Sequence, residues 1–473
     1  MNVLLVRPPD SLQGSALLSH TRPVNLAYLA AWLRREGIDV ALADFEITPF
    51  DRDGFTARLR QLRPAVVGFS AATPTVTGAA RLAAQVKSIL PECVTVIGGA
   101  HANGLPAETL EEFTDFDCLV YGEGELTLLE VCRVVERGGS LHGIAGLAHR
   151  NGGQVVVNPP RELLAELDDL PMPARDLFVA AEQAGHASRG FSNRLRSAEL
   201  FTARGCPFAC TFCAIQTTFG RKVRLHSVGR VGQEVDHLIR EYGCNHLVIA
   251  DDTFTLQPER AAEICGRLKA SGLTSWNCDT RASTVTPQLL RTMARSGCRK
   301  VAFGVESGSQ RVMDRIGKQL TVEQVTSAVR WAKEAGIRHI EGNFIIGADP
   351  TETAGDLDQT RRMLTTLPWT FVSVAVLVPY PGTPVYMQMR AAGQIEPDAS
   401  WDNFVMFGRT PRWRTDHFSA DDLVALQKRL TRAFYLRPGY IAARLGAIRS
   451  REEARYWFGA GIAYLRWYFG GKV

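Results

Sequence analysis

The chain has 473 residues, 45% of them apolar and 22% charged, which is the balance of a globular protein with a sizeable core and about three domains. Its net charge of +5 is too small over this length to argue for a nucleic-acid partner. Ten cysteines without a secretory leader point to a reducing compartment rather than a disulfide framework, and no run of about 18 uncharged apolar residues predicts a membrane span.

Met1-Asn2-Val3-Leu4-Leu5-Val6 is apolar but stops at Arg7-Pro8-Pro9, so it reads as a first strand and not as a signal peptide. Asp10-Ser11-Leu12-Gln13-Gly14 follows it. Residues 26–35 have helical spacing and end at Gly37. Strands are expected at 3–6, 40–45, 65–69, 94–97 and 118–121, with a helix over 76–90. This alternation predicts an α/β domain over residues 1–140, a doubly wound, flavodoxin-like parallel sheet with helices on both faces. Such sheets bind ligands beyond the carboxyl ends of their strands. The turns at those ends are Gly68-Phe69-Ser70-Ala71-Ala72-Thr73, Gly98-Gly99-Ala100-His101-Ala102 and Gly122-Glu123-Gly124-Glu125. Small residues and hydroxyls at successive strand ends make a smooth pocket for something large; His101 can equally be a polar residue that satisfies its own loop.

Residues 141–195 are a hairpin and a linker. Asn151-Gly152-Gly153 between two apolar runs predicts a β-hairpin over 144–157. Leu167-Asp168-Asp169-Leu170-Pro171-Met172-Pro173-Ala174-Arg175-Asp176 carries two prolines and several charges, and is expected to cross the surface.

From 196 to 410 the βα rhythm returns, with strands expected at 198–203, 246–250, 275–279, 300–305, 339–346 and 372–378. Amphipathic helices are expected at 231–241, 259–270, 287–296 and 322–335. Six such units predict a partial (β/α)6 barrel with its site at the carboxyl ends of the strands. After the first strand comes Arg204-Gly205-Cys206-Pro207-Phe208-Ala209-Cys210-Thr211-Phe212-Cys213. Three thiols in one short loop suit a soft metal site: an iron–sulfur cube with one iron left open, or a structural zinc. Polar residues recur at the later strand ends: Asp251-Asp252-Thr253, Arg281, Glu306-Ser307, then Gly347 with Glu352 beyond it, and Pro379-Tyr380-Pro381-Gly382-Thr383-Pro384. Singly, an Asp there can cap a helix and an Arg can pair with a Glu; their recurrence favours a site.

Residues 411–473 form a helical C-terminal region, with a helix over 420–435 and an apolar, aromatic stretch over 454–469 that also carries Arg455 and Arg466. That stretch either covers the barrel or lies on a membrane surface, where aromatic and basic residues sit well.

The cysteine loop resembles the cluster loop of radical S-adenosylmethionine (SAM) enzymes. With the domain before it, and with Gly304-Val305-Glu306-Ser307-Gly308 and the Pro379–Pro384 turn, residues 1–410 resemble the cobalamin-binding branch of that family. The resemblance implies that Cys206, Cys210 and Cys213 hold a 4Fe–4S cluster and that SAM chelates the open iron. Phe212, Asp251, Asp252, Arg281, Glu306 and Ser307 are then expected to contact SAM. Ser70, Thr73, Gly98, Gly99, His101, Gly122 and Glu123 are expected to contact cobalamin. Many cobalamin domains supply a cobalt-ligating His from D-x-H-x-x-G; here Leu12 stands in its place, so no His of this loop is expected on cobalt. The implied activity is methylation of an unactivated carbon of a small-molecule or lipid-like substrate. It uses one SAM to methylate cobalamin, a second SAM for a 5′-deoxyadenosyl radical, and an external flavodoxin- or ferredoxin-type electron donor. A cytoplasmic enzyme is implied, with peripheral contact at the inner face of the membrane as the second reading of the tail. An oxidative cyclase or ring-rearranging enzyme with the same cofactors is the alternative, and a cobalamin- or zinc-dependent sensor is the alternative of another class.

Overall fold

Successive residues of the first strand face opposite ways, as the two-residue period of a strand requires. In β1 (Asn2–Arg7), Val3 and Leu5 enter one hydrophobic core and Leu4 and Val6 another. The computed structural model describes residues 1–9, 22–178 and 196–448, and beyond them 451, 454, 455, 457–459, 461 and 462. The Asp10–Gly14 segment with Leu12, and most of the 454–469 stretch, lie outside the described residues.

The first lobe continues through α1 (Val24–Arg35), β2 (Asp39–Asp44), α2 (Arg52–Leu62), β3 (Val66–Ser70), α3 (Val76–Ile89) and β4 (Val94–Gly98). Then come α4 (Ala100–Gly104), α5 (Pro106–Glu112), β5 (Cys118–Val120) and α6 (Gly124–Arg137). The strands run parallel in the order β2-β1-β3-β4-β5. α1 and α6 bury Leu26, Leu33, Leu128 and Val131 on one face; α2 and α3 bury Phe55, Leu59, Leu82 and Val86 on the other. Helix α2 carries too weak an apolar stripe to be expected, since only Phe55 and Leu59 are buried; Asp51 caps it by accepting from Asp53 N (3.1 Å) and Gly54 N (3.0 Å).

Two expectations for residues 141–195 are corrected. The hairpin, β6 (Leu147–Asn151) and β7 (Gln154–Val157), is part of the first lobe: β6 pairs antiparallel with β5 and makes the sheet seven-stranded and mixed. The linker does not cross the surface. Leu167, Leu170 and Ala174 pack into the core beside α1, and Arg175, 2% exposed, donates to Glu199 O (2.7 Å) and Glu234 Oε1 (2.8 Å). Prolines stop regular structure, but they do not keep the apolar residues between them in water.

The second lobe is a six-stranded, all-parallel open barrel of β8 (Ser197–Leu200), β11 (His246–Ile249), β12 (Trp276–Thr280), β13 (Cys298–Glu306), β14 (His339–Ile346) and β15 (Phe371–Val376). Their order is β15-β14-β13-β12-β11-β8. A ribbon of β9 (Ala203–Arg204) and β10 (Arg224–Leu225) follows β8, and α7 (Ile215–Phe219) lies between its strands. The helices are α8 (Val228–Tyr242), α9 (Pro258–Ala270), α10 (Pro287–Arg295), α11 (Gln310–Arg315), α12 (Val322–Glu334), α13 (Ala354–Thr366) and α14 (Pro384–Ala391). Helix α15 (Ala420–Tyr435) lays Leu423, Leu426, Leu430 and Phe434 against the core, at roughly 1.5–3 kcal/mol for each such side chain. The last fully described helix, α16 (Pro438–Ala447), buries none of its residues.

Candidate active site

Both ends of the cysteine loop are fixed by the β9–β10 ribbon, in which Arg204 stands opposite Arg224. Gly205 has a φ of +93°, and a Cβ on it would lie 2.4 Å from Lys222 O, so only glycine makes this turn. Inside the loop, Thr211 N donates to Ile316 O (3.0 Å), Val385 N to Thr211 O (3.1 Å) and Cys213 N to Cys210 O (3.2 Å). Cys210 is buried; Cys206 and Cys213 are half-buried. Burial pushes the Cys210 thiol up, and the Lys318 cation opposes it. Cys213 is pushed up to about 11, first by burial, with the charges of Cys210 and Cys206 adding to the effect. Three cysteines in one short loop suit a soft, electron-deficient group held by thiolates.

The polar strand ends fall into two kinds. Asp251 is buried and committed: it accepts from Thr202 N (2.6 Å), Thr202 Oγ1 (2.5 Å) and Ala203 N (3.2 Å). Burial pushes its carboxyl up to about 6, and these bonds pull against the rise. Asp252 is exposed and faces the cavity described below, and its carboxylate forms no hydrogen bond or ion pair among the described residues. Ser307 is fully buried, its hydroxyl 3.2 Å from Thr360 Oγ1 and accepting from Ser309 N (3.1 Å). Glu306 ends β13 just past a bulge, with a φ of 69°, and its Oε1 meets Lys318 Nζ at 2.7 Å. Arg281 lies over the Phe208 ring at 3.8 Å and donates to Gln319 O (2.6 Å) and Ser283 Oγ (2.8 Å). Phe212 packs on Val312, Ile316 and Ala348.

Between the lobes lies a cavity of about 290 Å³. One wall is the carboxyl edge of the first sheet, with Ser70, Gly98, Gly99, Gly122 and Glu123. The opposite wall is Arg204, then Ile215, Thr218 and Phe219 of α7 within the cysteine loop, and Asp252. A Cβ on Gly122, at a φ of +76°, would meet no atom within 4 Å, and Asn103 Oδ1 accepts from the Gly122 N–H at 2.8 Å. A glycine floor at the carboxyl edge of such a sheet suits a large flat ligand. Thr73 and His101, expected to contact the ligand there, are buried and do not line the cavity. His101 is 1% exposed, meets Trp401 edge-on at 4.7 Å, and has no hydrogen-bond partner on either ring nitrogen among the described residues. Burial pushes it down to about 4, so the ring is neutral at ordinary pH.

Glu123 lines the cavity, but both its oxygens are taken. Oε1 accepts from Arg204 (2.7 Å), and Oε2 accepts from Arg224 (2.7 Å) and Leu164 N (2.9 Å). Burial would raise this carboxyl; the hydrogen bond from Arg224 and the charge of Arg204 outweigh it and hold it below its usual range. Arg204, Arg224 and Lys318 escape a reading that follows strand ends only. The signal for the two arginines is their position at either end of the cysteine loop, with the acidic Glu123–Glu125 turn elsewhere in the chain.

The family described as the Radical SAM superfamily matches residues 200–364, and the B12 binding domain matches residues 15–132. An uncharacterized methyltransferase of Pyrococcus horikoshii is 33% identical over 440 residues, 93% of each chain. The anaerobic magnesium-protoporphyrin IX monomethyl ester cyclase of Rubrivivax gelatinosus is 27% identical over 98% of this chain and 82% of its own. Among solved structures, the radical S-adenosylmethionine methyltransferase TsrM from Kitasatospora setae, with cobalamin and a [4Fe-4S] cluster bound, shares the fold. Its TM-score is 0.72 at 17% identity over 98% of both chains.

Proposed function

Because this chain belongs to the cobalamin-binding radical SAM enzymes, with a 4Fe–4S cluster, SAM and cobalamin as cofactors, we propose that it methylates an unactivated carbon of a small-molecule or lipid-like substrate. The observation that carries the proposal is the shared cavity: the glycine turns of the first sheet form one wall, and α7, inside the loop of three cysteines, forms the other. When bound, the cluster supplies the electron that cleaves SAM, and cobalamin carries the methyl group.

On this reading Cys206, Cys210 and Cys213 hold the cluster, and Arg281 and Lys318 offset its charge from the barrel side. Asp252, the free carboxylate, pairs with the SAM ammonium, while Asp251 holds the strand crossing beneath it. Glu306 bonds SAM hydroxyls from a side chain already aimed by Lys318. Ser70, Gly98, Gly99 and Gly122 form the cobalamin floor, and the apolar cavity wall keeps water from the radical.

The test is turnover with methyl-labelled SAM, with the product read by mass spectrometry. Label in the product, with S-adenosylhomocysteine and 5′-deoxyadenosine in about equal amounts, is the expected result. Substrate conversion with deoxyadenosine but no homocysteine product would select the cyclase reading, which the similarity to the Rubrivivax cyclase supports. No described helix is long and apolar enough to cross a membrane. Exposed Ile441, Leu445, Phe458 and Ile462 near Arg444 and Arg455 support peripheral contact of the tail with lipid.

A further inference from the structure

We propose that Glu123 is a positioning residue whose carboxylate fastens both ends of the cysteine loop to the first lobe and so sets the separation of the two cofactor sites. The inference rests on the cofactor assignment given under the proposed function. It begins with a conflict in the ribbon. Arg204 and Arg224 are direct partners in a two-residue antiparallel ladder, and like charges placed directly opposite repel. Their side chains are only 11% and 3% exposed, so solvent does little to screen them. By itself this ribbon would splay and open the loop that holds all three cysteines.

Glu123 reverses that sign. One oxygen binds Arg204 at 2.7 Å and the other binds Arg224 at 2.7 Å, so a single carboxylate bridges the two strands from the other lobe. Glu125 Oε1 takes the second nitrogen of Arg204 at 2.7 Å, and Leu164 O takes Arg224 at 2.8 Å. The path between the sites is short. Gly122 lines the cavity, Glu123 is the next residue, Arg204 is its ion-pair partner, and Cys206 lies two residues further on. Two stretches of backbone and one charged hydrogen bond therefore join the proposed cobalamin floor to the first cluster cysteine. Asn103 Nδ2 to Thr218 Oγ1, at 2.5 Å, ties down the α7 end of the same loop. Glu123 secures its base, where a change in angle moves all three sulfurs together.

The decisive variant is Glu123→Gln, which keeps the shape and removes the charge. In protein without cofactors, hydrogen exchange of amides 205–223 should rise by roughly tenfold or more, while α12 and α13 stay as protected as before. In protein loaded with cluster and cobalamin, the ratio of S-adenosylhomocysteine to deoxyadenosine should fall by at least about fivefold, because transfer between the sites depends on alignment more than SAM cleavage does. Loss of stability alone is separated by the double variant Glu123→Gln/Arg224→Gln, which leaves no uncompensated buried guanidinium at Arg224. It should recover the melting temperature and, with the like-charge repulsion gone, part of the loop protection, but not the product ratio, because the bridge to the first lobe is still missing. Unchanged loop exchange in Glu123→Gln, or a product ratio restored in the double variant, would overturn the proposal. A wild-type protein that makes neither product would refute the assigned reaction, and the exchange measurement would still judge the clamp on its own.

Discussion

Glu352 gives the most quantitative handle on the barrel lobe. It is fully buried five residues after Gly347, whose N–H donates to its Oε2 at 2.6 Å; its Oε1 has no hydrogen-bond partner among the described residues. Burial dominates, Asp356 and Asp349 add to it, and the carboxyl rises from its ordinary 4.5 to about 8. The sign follows from counting protons in the two states. Below 4.5 the folded and unfolded chains both carry the proton, and charge costs nothing. Between 4.5 and about 8 the unfolded chain ionises while the folded one keeps its proton. Stability then falls by about 1.4 kcal/mol for each pH unit. Above that range both states are ionised and the loss levels off at roughly 4–5 kcal/mol. Glu352→Gln keeps an oxygen for Gly347 and cannot ionise. In urea titrations followed by tryptophan fluorescence, the variant should match the wild type near the acid end. It should then gain on it steadily, to about 4 kcal/mol at mildly alkaline pH. Titrating groups that do not act on Glu352 behave alike in the two proteins and cancel in the difference. A stability difference that does not change with pH would refute the reasoning.

Replacing Cys206, Cys210 or Cys213 by Ala should abolish the visible absorption of the reconstituted cluster and all deoxyadenosine formation, whereas Ala at the other seven cysteines should affect stability only; full turnover in Cys210→Ala would sink the assignment. Asp252→Asn should weaken SAM binding, measured by calorimetry, by about tenfold with the melting temperature unchanged. Asp251→Ala should instead unfold early, by roughly 2–4 kcal/mol, since three buried donors lose their acceptor; weaker SAM binding by an otherwise stable Asp251→Ala protein would reverse the roles. If the tail meets lipid, the protein should sediment with anionic vesicles, and the triple change of Ile441, Leu445 and Phe458 to Ser should release it with the fold intact; a wild-type protein that stays in the supernatant would reject peripheral contact.

Much of this architecture is written in local pattern. Runs such as 3–6 and 247–249 are apolar on both faces, as a strand buried from both sides must be, while 339–346 alternates, with Ile340, Gly342, Phe344 and Ile346 buried on one face. The six barrel strands were therefore legible one by one, and so was the loop of three thiols that follows the first. The polar residues at the strand ends were legible as a set, because carboxyl ends of parallel strands converge wherever the sheet curls. What each of them does was not. Asp251 and Asp252 are adjacent and alike in composition, yet one is consumed by the Thr202 hydroxyl and two backbone N–H groups 48 or 49 residues away while the other faces the cavity. Glu123 read as a ligand contact because its turn sits at a strand end; its partners Arg204 and Arg224 lie 81 and 101 residues further along the chain. Ser307 is held by Thr360, 53 residues on, and Arg175 of the proline-rich linker is drawn into the interior because Glu234 is there to pair with it. Periodicity reports which way a residue faces relative to its own element, a property of the local backbone. Whether a charged or hydroxyl group is free for chemistry depends on which distant groups reach it first, and that is settled only when the elements pack.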